Sequence, residues 1–157
     1  MIRVGQAFDV HVFSDDPARP LILGGVTFAG ERGLAGHSDA DAVTHACADA
    51  LLSASGLGDL GELFPDTEDR WRGADSLELL QQVVDRVRAA GWWPVNVDCS
   101  VVCEAPKLAP RRAEMSARLS DVVRAPVTVK GKRAEGLGAL GRGEGIACWA
   151  VALVERL

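Results

Sequence analysis

Pro94-Val-Asn-Val-Asp-Cys-Ser-Val-Val-Cys103 puts Val95, Val97, Cys99, Val101 and Cys103 on alternate positions, with Asn96, Asp98 and Ser100 between them. Successive side chains of a strand point to opposite faces, so the stretch predicts a strand with one buried and one wetter face. It also reads Cys99 and Cys103 as small core residues. Downstream, Val127 to Lys130 reads as a strand, and the apolar run Ile146 to Val154 as a strand buried on both faces. Upstream, Arg3 to Phe13 alternates again, with Val4, Phe8, Val10 and Val12 on one side and Arg3, Asp9 and His11 on the other. Asp9 and His11 therefore fall on the less apolar face of a strand. Leu21 to Leu23 and Val26 to Phe28 read as short strands across the Gly24-Gly25 turn, and Gly30 to Gly36 as a loop.

The helical signals lie between these strands. Ser38 reads as an N-cap with Asp39 and Asp41 in the first turn, opening an Ala-rich helix that runs to about Ser55 before Gly56. Gly56 to Asp66 reads mainly as loop. Asp75 with Glu78 resembles a capping box, and Leu77, Leu80, Val84 and Val87 follow at helical spacing up to Gly91, a helix expected only to pack. Pro106 to Arg124 reads as a third helix opened by prolines, and Gly131 to Gly145 as a loop. The pattern is α+β, with one sheet and helices.

The chain has 157 residues, 48% of them apolar or aromatic and 25% charged. At this length roughly 68–70% of the unfolded surface can be buried, enough for one core, while two independent domains would each be marginal. One domain over residues 1–157 is the expectation. With 22 acidic against 17 basic side chains the net charge is −5, which argues against nucleic acid or an anionic membrane as the main partner. Cys47, Cys99, Cys103 and Cys148 form no C-x-x-C pair, and the N-terminus shows no basic segment followed by a long apolar run, so neither a disulfide frame nor secretion is indicated. The longest apolar stretch falls short of the roughly 20 residues a membrane span needs. The expected compartment is the cytoplasm, with thiols reduced.

Three histidines, His11, His37 and His45, lie in or beside the segments that also hold Asp9 and Ser38 to Asp41. Asp9-Val-His11 on a strand sets a carboxylate and an imidazole on one face, and His45 in the middle of a helix could add a third donor. Two imidazoles and a carboxylate with an open fourth position is the usual composition of a catalytic Zn²⁺ site. Asp49, four residues after His45, could orient that ring from behind. The plainer alternative is a solvated His11 and a surface pair of His45 with Asp49. Gly136-Leu-Gly138-Ala-Leu-Gly141 matches the dinucleotide-binding pattern, but too little chain follows for a βαβ unit. Lys130, Lys132, Arg133, Glu135, Arg142 and Glu144 in that glycine-rich loop could instead hold phosphates and a hard cation, or simply be solvated. Lys107, Arg111 and Arg112 stand near the start of a helix, where basic residues oppose the helix dipole unless an anion binds. Asp59, Glu62, Asp66, Glu68 and Asp69 crowd one region, suited to hydroxyl recognition or to solvation.

Taken in order, Gly5-Gln-Ala-Phe-Asp9-Val-His11, Ala35-Gly-His37-Ser38-Asp-Ala-Asp41, His45, Gly58-Asp59-Leu-Gly61, Phe64-Pro-Asp66-Thr67, Ala105-Pro-Lys107 and Gly141-Arg-Gly-Glu-Gly145 closely resemble the 2-C-methyl-D-erythritol 2,4-cyclodiphosphate synthase family. The motifs are specific as an ordered set, and the resemblance runs from about residue 2 to the C-terminus. It implies a mixed four-stranded sheet with helices packed on one face, assembled as a homotrimer with active sites between subunits. The implied reaction converts 4-diphosphocytidyl-2-C-methyl-D-erythritol 2-phosphate to the cyclic diphosphate and CMP, in non-mevalonate isoprenoid synthesis. With nothing before the first motif, the expectation is a synthase lacking the cytidylyltransferase half of bifunctional relatives.

By position, the resemblance makes Asp9, His11 and His45 ligands of Zn²⁺, and Glu135 the holder of a Mg²⁺ or Mn²⁺ bridging the diphosphate. It puts His37 beside the transition state and Ser38 on a substrate phosphate. Asp59, Gly61, Phe64, Asp66 and Glu68 fall on the methylerythritol side. Cys103, Ala105, Pro106, Lys107, Leu108 and Ala109 fall in a cytidine pocket lent by a neighbouring subunit. Lys132, Arg133 and Ala134 stand where the family carries Thr or Ser residues that contact the diphosphate, with Arg133 at the catalytic position and able to offer a charge-assisted contact instead. Ala139 replaces an aromatic residue of the trimer's central channel, where Arg142 is kept, and Gln6 and Ala7 replace the usual His and Gly. Two other readings are a binding module that keeps Zn²⁺ and nucleotide without turnover, and a Zn²⁺-dependent phosphodiesterase in which water attacks.

Overall fold

The computed structural model describes residues 1–156. Strands β1 (Ile2–Val12), β4 (Trp93–Val102), β5 (Val127–Lys132) and β6 (Gly145–Glu155) form one sheet in the order β1-β6-β4-β5, while β2 (Leu21–Leu23) and β3 (Val26–Phe28) form a separate hairpin. β6 is antiparallel to β1 and β4, and β4 is parallel to β5, so the sheet is mixed. A parallel pair needs a crossover, and helix α4 (Arg112–Val123) supplies it. Helix α1 (Ala42–Ser55) lies across β1 and β6, with α3 (Ser76–Ala89) packed beside it. The α+β expectation is met, with a mixed four-stranded sheet.

The Ala-rich character of α1 has a steric cause. Ala42, Ala46, Ala50 and Ala54 are buried, and a Cβ on Gly5 would run into the backbone of Ala50 and Ala54. Small residues on both sides let helix and strand approach this closely. The inner face of β1 is accordingly the less apolar one, bearing Gly5, Ala7, Asp9 and His11. Its apolar residues point away from the helices: Val4 is 64% exposed and Phe8 48%.

This corrects the expectation for β6. Ile146, Cys148, Ala150, Ala152 and Val154 are fully buried, but Trp149 is 39% and Val151 45% exposed. Helices cover one side of the sheet only, so an unbroken apolar run does not mean two buried faces. Phe8 and Trp149 stack at 4.6 Å between centroids on the open side, which toward β4 and β5 turns polar through Asp98 paired with Lys130.

Element ends also differ from expectation. The N-cap of α1 is Asp41 rather than Ser38, because Asp41 accepts from Val43 N at 3.1 Å and Thr44 N at 3.0 Å. Its carboxylate also takes Gly24 N at 2.8 Å, Gly25 N at 2.7 Å and the Thr44 hydroxyl at 2.7 Å. Asp75 caps α3 through Leu77 N, and Glu78 makes no return bond to it among the described residues. Gly56 to Asp66 contains a short helix α2 (Leu60–Leu63) capped by Asp59, and Gly131 to Gly145 contains another, α5 (Gly138–Gly141). α4 starts only at Arg112, since Pro106 and Pro110 hold the residues before them out of helical geometry. Arg111, next to that start, pairs with Glu114 at 2.8 Å and so needs no anion.

Asp41→Ala is expected to lower the unfolding free energy by about 3 kcal/mol or more, because each buried donor left unpaired costs roughly 1–3 kcal/mol. Urea denaturation followed by circular dichroism measures this, and a loss below about 1 kcal/mol would mean that water takes over the carboxylate's role.

Candidate active site

Asp9 and His11 are two residues apart on β1 and so share its inner face. His45 reaches them from the first turn of α1. His11 Nε2 and His45 Nδ1 lie 3.0 Å and 3.3 Å from Asp9 Oδ2, and 3.3 Å from each other. Among the described residues this is the only group of three such donors within 4.8 Å of one another. Asp9 Oδ2 is buried and receives no well-directed hydrogen bond. A buried acceptor left in that state is costly, and a cation at the centre of the group would satisfy it. The two nitrogen donors and one oxygen suit Zn²⁺. Burial raises the Asp9 carboxyl, but the two imidazoles outweigh it and hold the group well below the usual carboxylate range. Burial lowers His45, and Asp9 outweighs that to raise it.

Gly36 makes room for this arrangement, since a Cβ there would sit 2.8 Å from Ala40 Cβ and 3.2 Å from the His11 ring. The triad opens on a cleft of about 560 Å³ that also holds His37, Ser38, Gly61, Phe64 and Asp66. Trp71 and Leu79 close one wall, with Phe64 edge-on to Trp71 at 4.9 Å. His37 Nε2 donates to the Glu68 carbonyl at 3.0 Å, which leaves Nδ1 as its free nitrogen.

A second cavity, of about 340 Å³, gathers Cys103, Pro106, Lys107, Leu108, Ala109, Lys132 and Arg133, together with Glu104 and Arg112. Burial pushes the Cys103 thiol up to about 11, so it lines the wall as an inert group. Glu104 accepts from Arg133 Nη2 at 3.0 Å and from the Ala134 amide at 2.8 Å. This ion pair fixes the start of the loop that follows β5.

The YgbB family matches residues 2–155 of the chain. The 2-C-methyl-D-erythritol 2,4-cyclodiphosphate synthase of Bordetella bronchiseptica is 53% identical over 98% of this chain and 96% of its own. That of Geobacillus kaustophilus is 51% identical over 99% of both chains. Among solved structures, a synthase of the same name with CDP bound superimposes with a TM-score of 0.87 at 38% identity, covering 98% of this chain and 100% of the other. The bifunctional IspDF of Campylobacter jejuni matches with a TM-score of 0.94 at 38% identity, this chain spanning 43% of that longer one.

The chain belongs to the YgbB family.

In this YgbB-family chain the expected site residues divide between two cavities and a scattered remainder. Asp9, His11, His37, Ser38, His45, Gly61, Phe64 and Asp66 share the first cleft, and Cys103, Pro106 to Ala109, Lys132 and Arg133 share the second. The rest line neither. Asp59 caps α2 through Glu62 N, Ala105 precedes Pro106 through a cis peptide, and Arg142 pairs with Glu144 at 2.6 Å. Glu68 meets His37 only through its backbone, and Ala134 meets Glu104 through its amide. Glu135 is exposed, with a φ of 54°, and stands apart from the Asp9 group.

Two expectations are corrected at His45. Asp49 does not orient the ring, because its carboxylate accepts the Leu60 amide at 2.7 Å. The ring's Nε2 instead meets Ser76 Oγ at 2.8 Å and Ser38 Oγ at 3.2 Å, so α3 does more than pack. Sequence reading treated Asp75 only as a cap, and the residue after it carried no signal of its own. Arg19 was missed too. Its guanidinium donates to the carbonyls of Leu34, Gly36 and Ser38, bracing the loop that carries His37.

Hydrogen bonds from a charged donor contribute roughly 1.5–3 kcal/mol, so Arg19→Ala is expected to speed amide exchange at Ala35 and Asp39 by about tenfold or more. Those amides bond to the carbonyls of Val12 and Ala74 at either end of the braced loop. Unchanged exchange measured by NMR would show that the loop holds itself.

Proposed function

We propose that the protein is a 2-C-methyl-D-erythritol 2,4-cyclodiphosphate synthase, a cyclising lyase that turns 4-diphosphocytidyl-2-C-methyl-D-erythritol 2-phosphate into the cyclic diphosphate and CMP. The observation that carries this reading is the convergence of Asp9, His11 and His45 at the floor of a cleft shared with His37 and Ser38. The substrate's own 2-phosphate oxygen attacks the β-phosphorus, and the bond from that phosphorus to the oxygen bridging it to the α-phosphate breaks, with CMP leaving on that oxygen. The protein therefore supplies position and charge rather than a nucleophile.

Asp9, His11 and His45 hold Zn²⁺ in this reading, and Glu135 holds a Mg²⁺ or Mn²⁺ on the diphosphate. When bound, the two cations withdraw charge from the phosphoryl oxygens and so favour attack at phosphorus. Ser38 donates its hydroxyl to a phosphate. His37, steadied through Nε2, faces the reacting phosphates. Asp59, Gly61, Phe64, Asp66 and Glu68 take the methylerythritol side. Cys103 and Ala105 to Ala109 take the cytidine, with Lys107 the charged member of that group. Lys132, Arg133 and Ala134 take the diphosphate, Arg133 exchanging its Glu104 partner for phosphate oxygens, and Arg142 completes the basic set. The CDP found with solved relatives supports a cytidine pocket.

The assembly is a homotrimer in this proposal, with each site built from the first cleft of one chain and the second cavity of its neighbour. The exposed apolar strip of Val4, Phe8, Val10, Trp149 and Val151 supports an interface between copies. A single domain over residues 1–157 and a cytoplasmic location complete the reading. Among the described residues no helix is long and apolar enough to cross a membrane.

³¹P NMR of the protein with substrate, Zn²⁺ and Mg²⁺ is expected to show the cyclic diphosphate and CMP appearing in equal amounts. His11→Ala is expected to lower kcat by about 100-fold or more, equivalent to about 2.7 kcal/mol of barrier. A linear product, or unchanged substrate with zinc bound, would reject the synthase reading. Co-refolding His11→Ala chains with Lys107→Ala chains is expected to recover up to about a quarter of the sites, since random mixing of copies reunites two intact halves at that rate. Mixtures no more active than either variant alone would reject the shared site.

A further inference from the structure

Behind the His45 ring, away from the cleft, lies a polar chain that the family resemblance does not assign. His45 Nε2 is 2.8 Å from Ser76 Oγ, and Ser76 Oγ makes a short hydrogen bond to Asp39 Oδ1. The same aspartate accepts the Ser76 amide on Oδ2 at 3.0 Å, so its carboxylate grips Ser76 through both oxygens. Ser76 is buried, at 1% exposure, and is the first residue of α3. Asp39 is fixed in turn, its own amide donating to the Ala74 carbonyl at 3.1 Å and its Oδ1 accepting from Asp41 N at 3.1 Å. Three segments therefore meet at this contact: the loop before α1, α1 itself and the start of α3.

The geometry points to Asp39 and Ser76 as positioning residues that set the His45 tautomer so that Nδ1 presents a lone pair to the metal group. This inference rests on the reading of Asp9, His11 and His45 as a zinc site. A carboxylate only accepts, so the single hydroxyl proton of Ser76 goes to Asp39. Ser76 Oγ is then left with lone pairs, and the group facing it at 2.8 Å must donate. His45 Nε2 therefore carries the proton, and in a neutral imidazole the other nitrogen, Nδ1, is bare. That nitrogen is the one 3.3 Å from Asp9 Oδ2.

His11 obeys the same logic in mirror image. Its Nδ1 lies 2.9 Å from the Ala35 carbonyl, which accepts only, so Nε2 is the bare nitrogen and faces the same point. One ring is set by a backbone oxygen and the other by a side-chain relay. Both neutral rings deliver lone pairs to a place where the carboxylate also offers no proton, a set that a metal cation, or in its absence an added proton, reconciles. Ser38 Oγ, at 3.2 Å from His45 Nε2, accepts also from the Ala40 amide at 3.3 Å. Its hydroxyl proton is thereby left free to turn into the cleft.

Hydrogen-bond partners placed behind metal-binding histidines typically matter by 10–100-fold in affinity. Zinc affinity of metal-free protein, measured by competition with a chromogenic chelator, is therefore expected to fall by about 10–100-fold in Ser76→Ala and to be largely restored in Ser76→Thr, which keeps the hydroxyl. In metal-free protein at a pH where His45 is neutral, ¹⁵N NMR is expected to show the Nε2–H form of His45, and a mixture of tautomers in Ser76→Ala. Asp39→Asn carries the same comparison if Ser76→Ala does not fold. Zinc binding as tight in Ser76→Ala as in the unaltered protein overturns the relay while leaving the zinc site standing. Weaker binding with an unchanged tautomer also overturns it, by reducing Ser76 to a packing role for α3. Failure of the unaltered protein to take zinc overturns both the relay and the metal reading.

Discussion

A carboxylate with no contact with water is tolerable only if its lone pairs are occupied, and Asp41 meets that condition with five donors from two parts of the chain. Burial raises its carboxyl, while the bonds from Thr44 and Gly25 pull the other way. The consequence is geometric. Gly24 and Gly25 belong to the turn between β2 and β3, whereas Val43 and Thr44 open α1, so one side chain sets both the direction and the starting point of the central helix. The His45 amide bonds to the Asp41 carbonyl at 3.0 Å, which places the His45 ring one full turn, four residues, beyond the cap. The helix end is thus a structural joint and the origin of the metal group at once.

The site also explains why the sheet is apolar on what first looks like its wrong face. α1 approaches β1 so closely that the strand's inner positions must be small, as Gly5 and Ala7 are, or must reach past the helix end, as Asp9 and His11 do. Large side chains on β1 are pushed outward, where Val4, Phe8 and Val10 join Trp149 and Val151. Open apolar strips of this kind are a poor endpoint for a lone chain in water. The close approach of α1 to Gly5 and the open apolar strip on the far side of β1 are two results of one steric choice.

How much of this was readable beforehand depended on whether the cause was local. Alternation in Val95 to Cys103 located β4 because sheet burial acts residue by residue, and Asp9 with His11 was readable because a period of two puts them side by side. The ordered motifs then carried the family and the composition of the metal group. Three things were not readable. The cap of α1 moved from Ser38 to Asp41 because its deciding partners, Gly24 and Gly25, are distant in sequence. The exposure of Trp149 depends on which side of the sheet the helices choose, and an apolar run holds no record of that choice. Ser76 acts through contacts with a ring and a distant carboxylate and Arg19 through three carbonyls, and neither produces a periodicity or a spacing.

The division of the remaining site residues follows from the same topology. The first cleft is built where β1 meets the start of α1, and the second where the β4 end, the prolines before α4 and the β5 end come together. These lie toward opposite edges of a sheet whose order is β1-β6-β4-β5, with β6 and β4 between them. The proposed substrate, with a cytidine at one end and a methylerythritol phosphate at the other, would need both kinds of surface, and one chain offers them apart. In the proposed homotrimer, closure by a neighbouring copy would resolve this, and it would also give the Glu104–Arg133 pair a purpose. An arginine tethered by a carboxylate at 3.0 Å is held on the lining of its cavity, so in the proposed reading its charge would be in place before any diphosphate arrives. A threonine at that position would offer one hydroxyl and no long-range attraction. The arginine, itself 69% exposed, offers a planar fork that the proposed reading exchanges from Glu104 to phosphate oxygens.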